Sequence, residues 1–72
     1  MNIIVKTLKE LLNIKRKYYI LNVLVAEGYG TLGLKYEAFI DETLESKTNE
    51  EIVDDVKELI ERSRKIATSL RN

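Results

Sequence analysis

Tyr18-Tyr19-Ile20-Leu21-Asn22-Val23-Leu24-Val25-Ala26 is the stretch on which the fold class turns. It is apolar on every side apart from Asn22, so periodicity alone does not separate a buried helix from a buried strand. Its β-branched and aromatic content argues for a strand. Against that, a lone strand needs a partner, and the Glu27-Gly28 pair that follows resembles a helix C-terminus with glycine in the left-handed cap. Upstream, Ile4, Val5, Leu8, Leu11 and Leu12 make an amphipathic stripe with Lys6, Lys9 and Asn13 outside it. The favoured reading is one helix over about 2–27, with a break allowed near 15–17. The alternative is an α+β helix–hairpin–helix fold with strands near 18–26 and 31–40.

Working outward, the C-terminal third reads most clearly. Thr48-Asn49-Glu50-Glu51 fits a capping box, in which the Thr48 hydroxyl accepts from the Glu51 backbone N–H while the Glu51 carboxylate reaches back to the cap. Ile52, Val53, Val56, Leu59, Ile60, Ser63, Ile66, Ala67 and Leu70 then fall on one stripe at 3.6-residue periodicity, which predicts a helix over 49–70. Between these segments, Tyr36, Phe39, Ile40, Thr43 and Leu44 share a helical face while Glu37, Asp41 and Glu45 point away. This predicts a helix over 34–46; the rival strand pattern would expose Phe39. The fold expected is therefore all-α, a single 1–72 domain of three or four helices.

A chain of 72 residues buries little surface, and this one has no cysteine or histidine to staple it through disulfides or a thiolate or imidazole metal site. An all-round apolar segment in so short a chain needs more cover than one copy supplies. Self-association, a dimer favoured, is the expectation, through Tyr19, Leu21, Val23, Leu24 and Val25 together with Leu59 and Ile66 of the last helix.

All three glycines fall in Gly28-Tyr29-Gly30-Thr31-Leu32-Gly33, a G-x-G-x-x-G string. The spacing matches the dinucleotide-binding turn, whose glycines let the backbone approach a pyrophosphate. That reading needs a second parallel strand, and the place where a ribose-binding acid would close the unit is taken by Asp54 and Asp55, inside the C-terminal helix. With Tyr19 to Leu24 before it and Tyr36-Glu37-Ala38 after, the string also resembles the glycine-rich hairpin of protein kinases over about 20 residues. Lys35 stands where that family has valine, and no catalytic loop or metal-binding Asp-Phe-Gly follows. The string is read as a flexible connector that reverses the chain, with an incomplete nucleotide-binding fragment as a third reading of the protein.

The charges cancel in number, twelve of each sign, but not in position. Residues 1–36 carry a net +4, residues 37–61 a net −8, and the remaining residues +4 again. Acids opening the last helix and bases closing it suit the helix dipole. Glu50, Asp54, Glu58 and Glu61 nevertheless form one ridge, partly relieved by Glu58 with Arg62 and Glu61 with Lys65; the ridge reads as a solvated face or as a surface for a basic partner, either the N-terminal segment or another protein. Lys15-Arg16-Lys17 before Tyr18-Tyr19 joins phosphate-binding cations to stacking aromatics, the basis of a nucleic-acid alternative. Those cations fan around a helix axis, however, and a helix-turn-helix docking would present Glu50, Glu51, Asp54 and Asp55 to phosphates.

Carboxylate pairs at helical spacing, such as Glu37 with Asp41 or Glu51 with Asp55, have the chemistry to share a hard cation, but no calcium-loop pattern accompanies them and they read as solvated acids. The serines have no histidine or Ser-x-x-Lys to activate them. No catalytic residue, cofactor or metal is expected. No uncharged run approaches the roughly 20 residues of a membrane span, and the N-terminus has no signal-peptide pattern. The expectation is a cytoplasmic, non-enzymatic regulatory or adaptor protein that binds another protein, with small nucleic-acid-binding protein as the alternative.

Overall fold

The computed structural model describes residues 3–71 and contains three α-helices and one 3-10 segment: α1 (Ile3–Ala26), a 3-10 helix (Gly30–Tyr36), α2 (Glu37–Thr43) and α3 (Asn49–Arg71). The fold is all-α; no strand occurs among the described residues. Residues 18–26 are helical, and α1 runs without a break through 15–17. Residue 2, where the predicted helix begins, lies outside the described residues.

Glycine ends α1 as its sequence position suggests. Gly28 has φ +93°, its N–H donates to the Val25 carbonyl at 3.1 Å, and the Tyr29 N–H donates to the Leu24 carbonyl at 2.9 Å. These two bonds form a Schellman motif, and Tyr29 packs against the core as the motif's apolar contact. Gly30, also at positive φ (+59°), completes the reversal.

The segment after it differs from the predicted 34–46 helix. Winding starts at Gly30 as a 3-10 helix of seven residues, becomes α-helical only over Glu37–Thr43, and loosens into turns over 44–46. Runs of 3-10 helix longer than three or four residues are uncommon, and this one is seated directly on α1 through Gly33. This glycine is buried, and a Cβ at that position would lie 2.7 Å from Leu24 Cδ1 and 3.2 Å from Leu21 Cδ2. The segment read as a flexible connector is thus a packed element whose last glycine permits close approach to α1. At the other end, the Thr43 hydroxyl donates back to the Phe39 and Ile40 carbonyls, and the Ser46 and Lys47 N–H groups both converge on the Thr43 carbonyl. The chain then enters α3 through the capping box: Thr48 N–H donates to Glu51 Oε1 (2.9 Å) and Glu51 N–H to Thr48 Oγ1 (3.2 Å).

Residue 16 lies level with 49, since Arg16 Nε donates to Asn49 Oδ1, and residue 27 lies level with 57, since Lys57 bonds Glu27. α1 and α3 therefore run in the same direction, with the 3-10 segment and α2 returning between them. The core is small: Ile20 and Leu24 from α1, Ile40 and Leu44 from and just after α2, and Ile52, Val53, Val56 and Ile60 from α3. Only the second half of α1 and the first half of α3 share it. The first half of α1 projects from one end, while α3 runs on beside the 3-10 segment as far as Ala67 and only its last residues extend past the other, giving an elongated body of 56 × 21 × 16 Å.

Replacing Gly33 with valine should lower stability by about 1–3 kcal/mol, because the added carbons must displace Leu24 and Leu21 from a filled core. Urea unfolding followed by circular dichroism reads the shift in midpoint.

Candidate interaction surface

Ile20 and Leu24 define the side of α1 that faces the core. At about 100° of rotation per residue, Ile4, Leu8, Leu11 and Leu12 point roughly 150° away from them. The apolar stripe of the projecting half is therefore on the opposite side of the helix, and none of the described elements covers it. Ile4 and Leu8 are 69% and 60% exposed, and Val5, Leu11, Leu12 and Ile14 are each at least half exposed. The face looking along the direction of the body carries Lys6, Lys9 and Asn13 instead; Lys9 makes a solvent-exposed ion pair with Glu45 (3.2 Å). Extended along α1, the exposed side continues through Tyr18, Tyr19 and Val25, all more than half exposed. A second, shorter apolar surface is left where α3 outruns its neighbours, at Ile66 and Leu70.

The residues expected to mediate self-association are thus divided. Leu24 is wholly enclosed within the single chain, and Leu21 and Val23 are packed against the core, so Leu24 must be withdrawn from a surface role: the three-element core takes the inner side of 18–26. Leu59 is half-buried beside Tyr36, whose hydroxyl lies 3.4 Å from the Leu59 carbonyl. Tyr19, Val25 and Ile66 remain exposed. The larger apolar surface, on residues 4–14, was read in the sequence only as an amphipathic stripe. Its missed signal is the continuation of that stripe past the basic cluster into Tyr18, Asn22 and Val25.

The basic cluster also divides. Arg16 is spent within the chain, its guanidinium donating to Asn49 Oδ1 (2.8 Å), to the Lys47 carbonyl (2.8 Å) and to the Leu44 carbonyl. A planar fork with several donors suits this task of tying the α2–α3 connection to α1. Lys17 is only 17% exposed and lies between Glu37 (2.8 Å) and Asp41 (3.4 Å), which raises its pKa chiefly through the hydrogen bond to Glu37. The ammonium group fills the place where those two carboxylates would have shared a metal cation. Lys15 alone among the three makes no such contact among the described residues, so the three cations do not present a joint phosphate-binding surface.

Along the acidic ridge, Glu58 pairs with Arg62 as expected, whereas Glu61 pairs with Arg64 (3.1 Å) and not with Lys65. At i,i+3 Arg64 reaches the carboxylate while also lying over the Tyr29 ring, 5.5 Å from its centroid. Glu50 and Asp54 are different. They flank a shallow groove of about 150 Å3 between α1 and α3, with Tyr19, Val23 and Lys57 on its walls; Asp54 has only a 3.9 Å approach from Lys57. Glu51 is occupied by the capping box and Asp55 by Lys47. The glycines have structural assignments too: Gly28 and Gly30 supply positive φ, and Gly33 supplies close packing. No protein-family model, curated protein or solved structure matches this chain. No helix among the described residues is long and apolar enough to cross a membrane.

Arg16→Lys should cost about 1–3 kcal/mol, since a point charge does not replace three directed bonds to one connection; thermal unfolding measures the loss. Lys17, Lys47 and Lys57 all have raised pKa values, each first through a hydrogen bond to a carboxylate, Glu37, Asp55 and Glu27 respectively. Groups that bind their protons more tightly when folded stabilise the fold fully below the unfolded pKa and lose that contribution as pH climbs through the folded value. These three pairs should therefore support stability through neutral pH and fail at alkaline pH, above about 10.4. A chain with all three lysines changed to glutamine should show a shallower alkaline decline in denaturant midpoint.

Proposed function

We propose that this chain is a small, non-enzymatic regulatory or adaptor protein that acts in the cytoplasm through protein–protein interaction and self-association. The observation that carries the reading is the apolar stripe on α1, turned away from the chain's own core and left in water. Monomeric proteins rarely expose contiguous apolar patches beyond about 300–600 Å2, and larger ones mark interaction surfaces. The segregated charge adds support: among the described residues Glu50 makes no ion pair and Asp54 only a 3.9 Å pair with Lys57, beside a groove whose other wall is the exposed Tyr19. Such a rim suits a basic partner.

The nucleic-acid alternative draws less from the geometry, because Arg16 and Lys17 are committed to the chain itself. Sedimentation equilibrium from low micromolar to near-millimolar concentration tests the main reading. A reversible dimer or higher assembly is expected; a monomer over the whole range would remove self-association from it.

A further inference from the structure

Ile4, Leu8, Leu11, Lys15, Tyr18, Asn22 and Val25 are spaced alternately by four and three residues, the heptad rhythm of a coiled-coil seam. They lie on the outer side of one unbroken 24-residue helix, and all are exposed. One of the two alternating positions is apolar throughout, Ile4, Leu11, Tyr18 and Val25. The other holds Leu8, Lys15 and Asn22, and polar residues at such positions select register and partner number. Val5, Leu12 and Tyr19 widen the seam on one flank.

We propose that α1 pairs antiparallel with α1 of a second copy of this chain, the projecting half of each lying along the core-bearing half of the other. The inference rests on the self-association proposed above and assigns its surface and orientation. Three observations select this occupant. The first is length: the projecting residues 3–15 and the core-bearing residues 16–26 span about 20 and about 17 Å of helix, so each half covers the other. The second is area: nine half-exposed or more exposed large side chains on this helix offer on the order of 800 Å2 per chain, what each partner contributes to a standard interface.

Charge is the third. The projecting half carries Lys15 on the seam, with Lys6 and Lys9 on the other side of the helix and Lys9 paired with Glu45 of its own chain, against one acid, Glu10, whereas residues 37–61, which surround the core-bearing half, carry net −8. Antiparallel pairing lays the basic arm of one copy beside the acidic body of the other, with Glu50 and Asp54 on the near rim of the α1–α3 groove. A parallel pair would match Asn22 with its own copy, but it would also set Lys15 against Lys15, arm against arm and acidic body against acidic body. In the antiparallel register Leu8 lies level with Tyr18 of the second copy, Ile4 with Asn22, and Leu11 with Lys15, whose methylene stem covers it while the ammonium reaches water.

The chain has no cysteine, so introduced thiols report the register directly. Chains carrying Ile4→Cys and chains carrying Asn22→Cys, mixed and oxidised under air, should form a mixed disulfide dimer, and neither alone should cross-link efficiently. The double change Leu8→Glu, Leu11→Glu should abolish the dimer in sedimentation while the cooperative thermal transition of the core persists, since both side chains lie outside that core. Self-cross-linking of either single-cysteine chain as fast as the mixture would mean a parallel seam and overturn the proposal. A dimer that survives Leu8→Glu, Leu11→Glu would place the interface elsewhere and overturn it while leaving self-association intact. A wild-type monomer that binds vesicles of anionic phospholipid, with that binding lost in the same double variant, would assign the stripe to a lipid surface and overturn both.

Discussion

Ile20 and Leu24 can be packed against α3 only if one end of α1 is left uncovered, and the rest of the molecule follows from that constraint. Among the described residues, the eight apolar side chains of the core lie within a short overlap between the second half of α1 and the first half of α3. The return segment, wound as seven 3-10 and seven α-helical residues, advances about 25 Å through those helices against about 36 Å for α1, so the two parallel helices overlap over only part of their lengths. Gly33 lets the 3-10 segment run hard against Leu21 and Leu24. What the overlap gains in packing density it loses in coverage, so apolar surface remains at both ends.

Electrostatics divides along the same line. Where α1 meets the body, its cations are absorbed: Arg16 ties down the α2–α3 connection and Lys17 neutralises Glu37 and Asp41. Lys57 does the same for Glu27 across α1 and α3. Pairs on the surface contribute little each, but these three connect separate elements and so bear on the arrangement of the fold. Elsewhere the ties are weaker: among the described residues the basic arm makes only the exposed Lys9–Glu45 pair to the body, and Asp54 at the α1–α3 groove only the 3.9 Å pair with Lys57. The opposed charge of the two regions is thus partly internal fastening and partly surplus.

Sequence patterns foretold some elements in detail. The capping box at Thr48 and Glu51, the glycine cap at Gly28 and the stripe of α3 are local features, set by residues within a few positions of one another, and the structure contains each. The 34–46 segment was less legible. Its helical face is present, but the close seating of Gly33 depends on Leu24 and Leu21, which lie ten residues or so away in sequence and are close only after the chain has reversed. Arg16 misled for a related reason: a cation beside lysines and tyrosines looks available until three acceptors some thirty residues downstream are brought to it.

The sequence by itself determined that the chain is helical, where α3 starts, where α1 stops, and that more apolar surface exists than one small domain covers, because propensity, capping and periodicity are short-range properties. Only the tertiary structure decided which side of residues 18–26 is enclosed, that α1 and α3 run parallel with offset ends, and that the stripe from Ile4 to Leu12 faces away from the core. Those outcomes depend on the phase between two apolar faces of one helix relative to its neighbours. Phase is a relation between elements, and no single segment of the chain contains it.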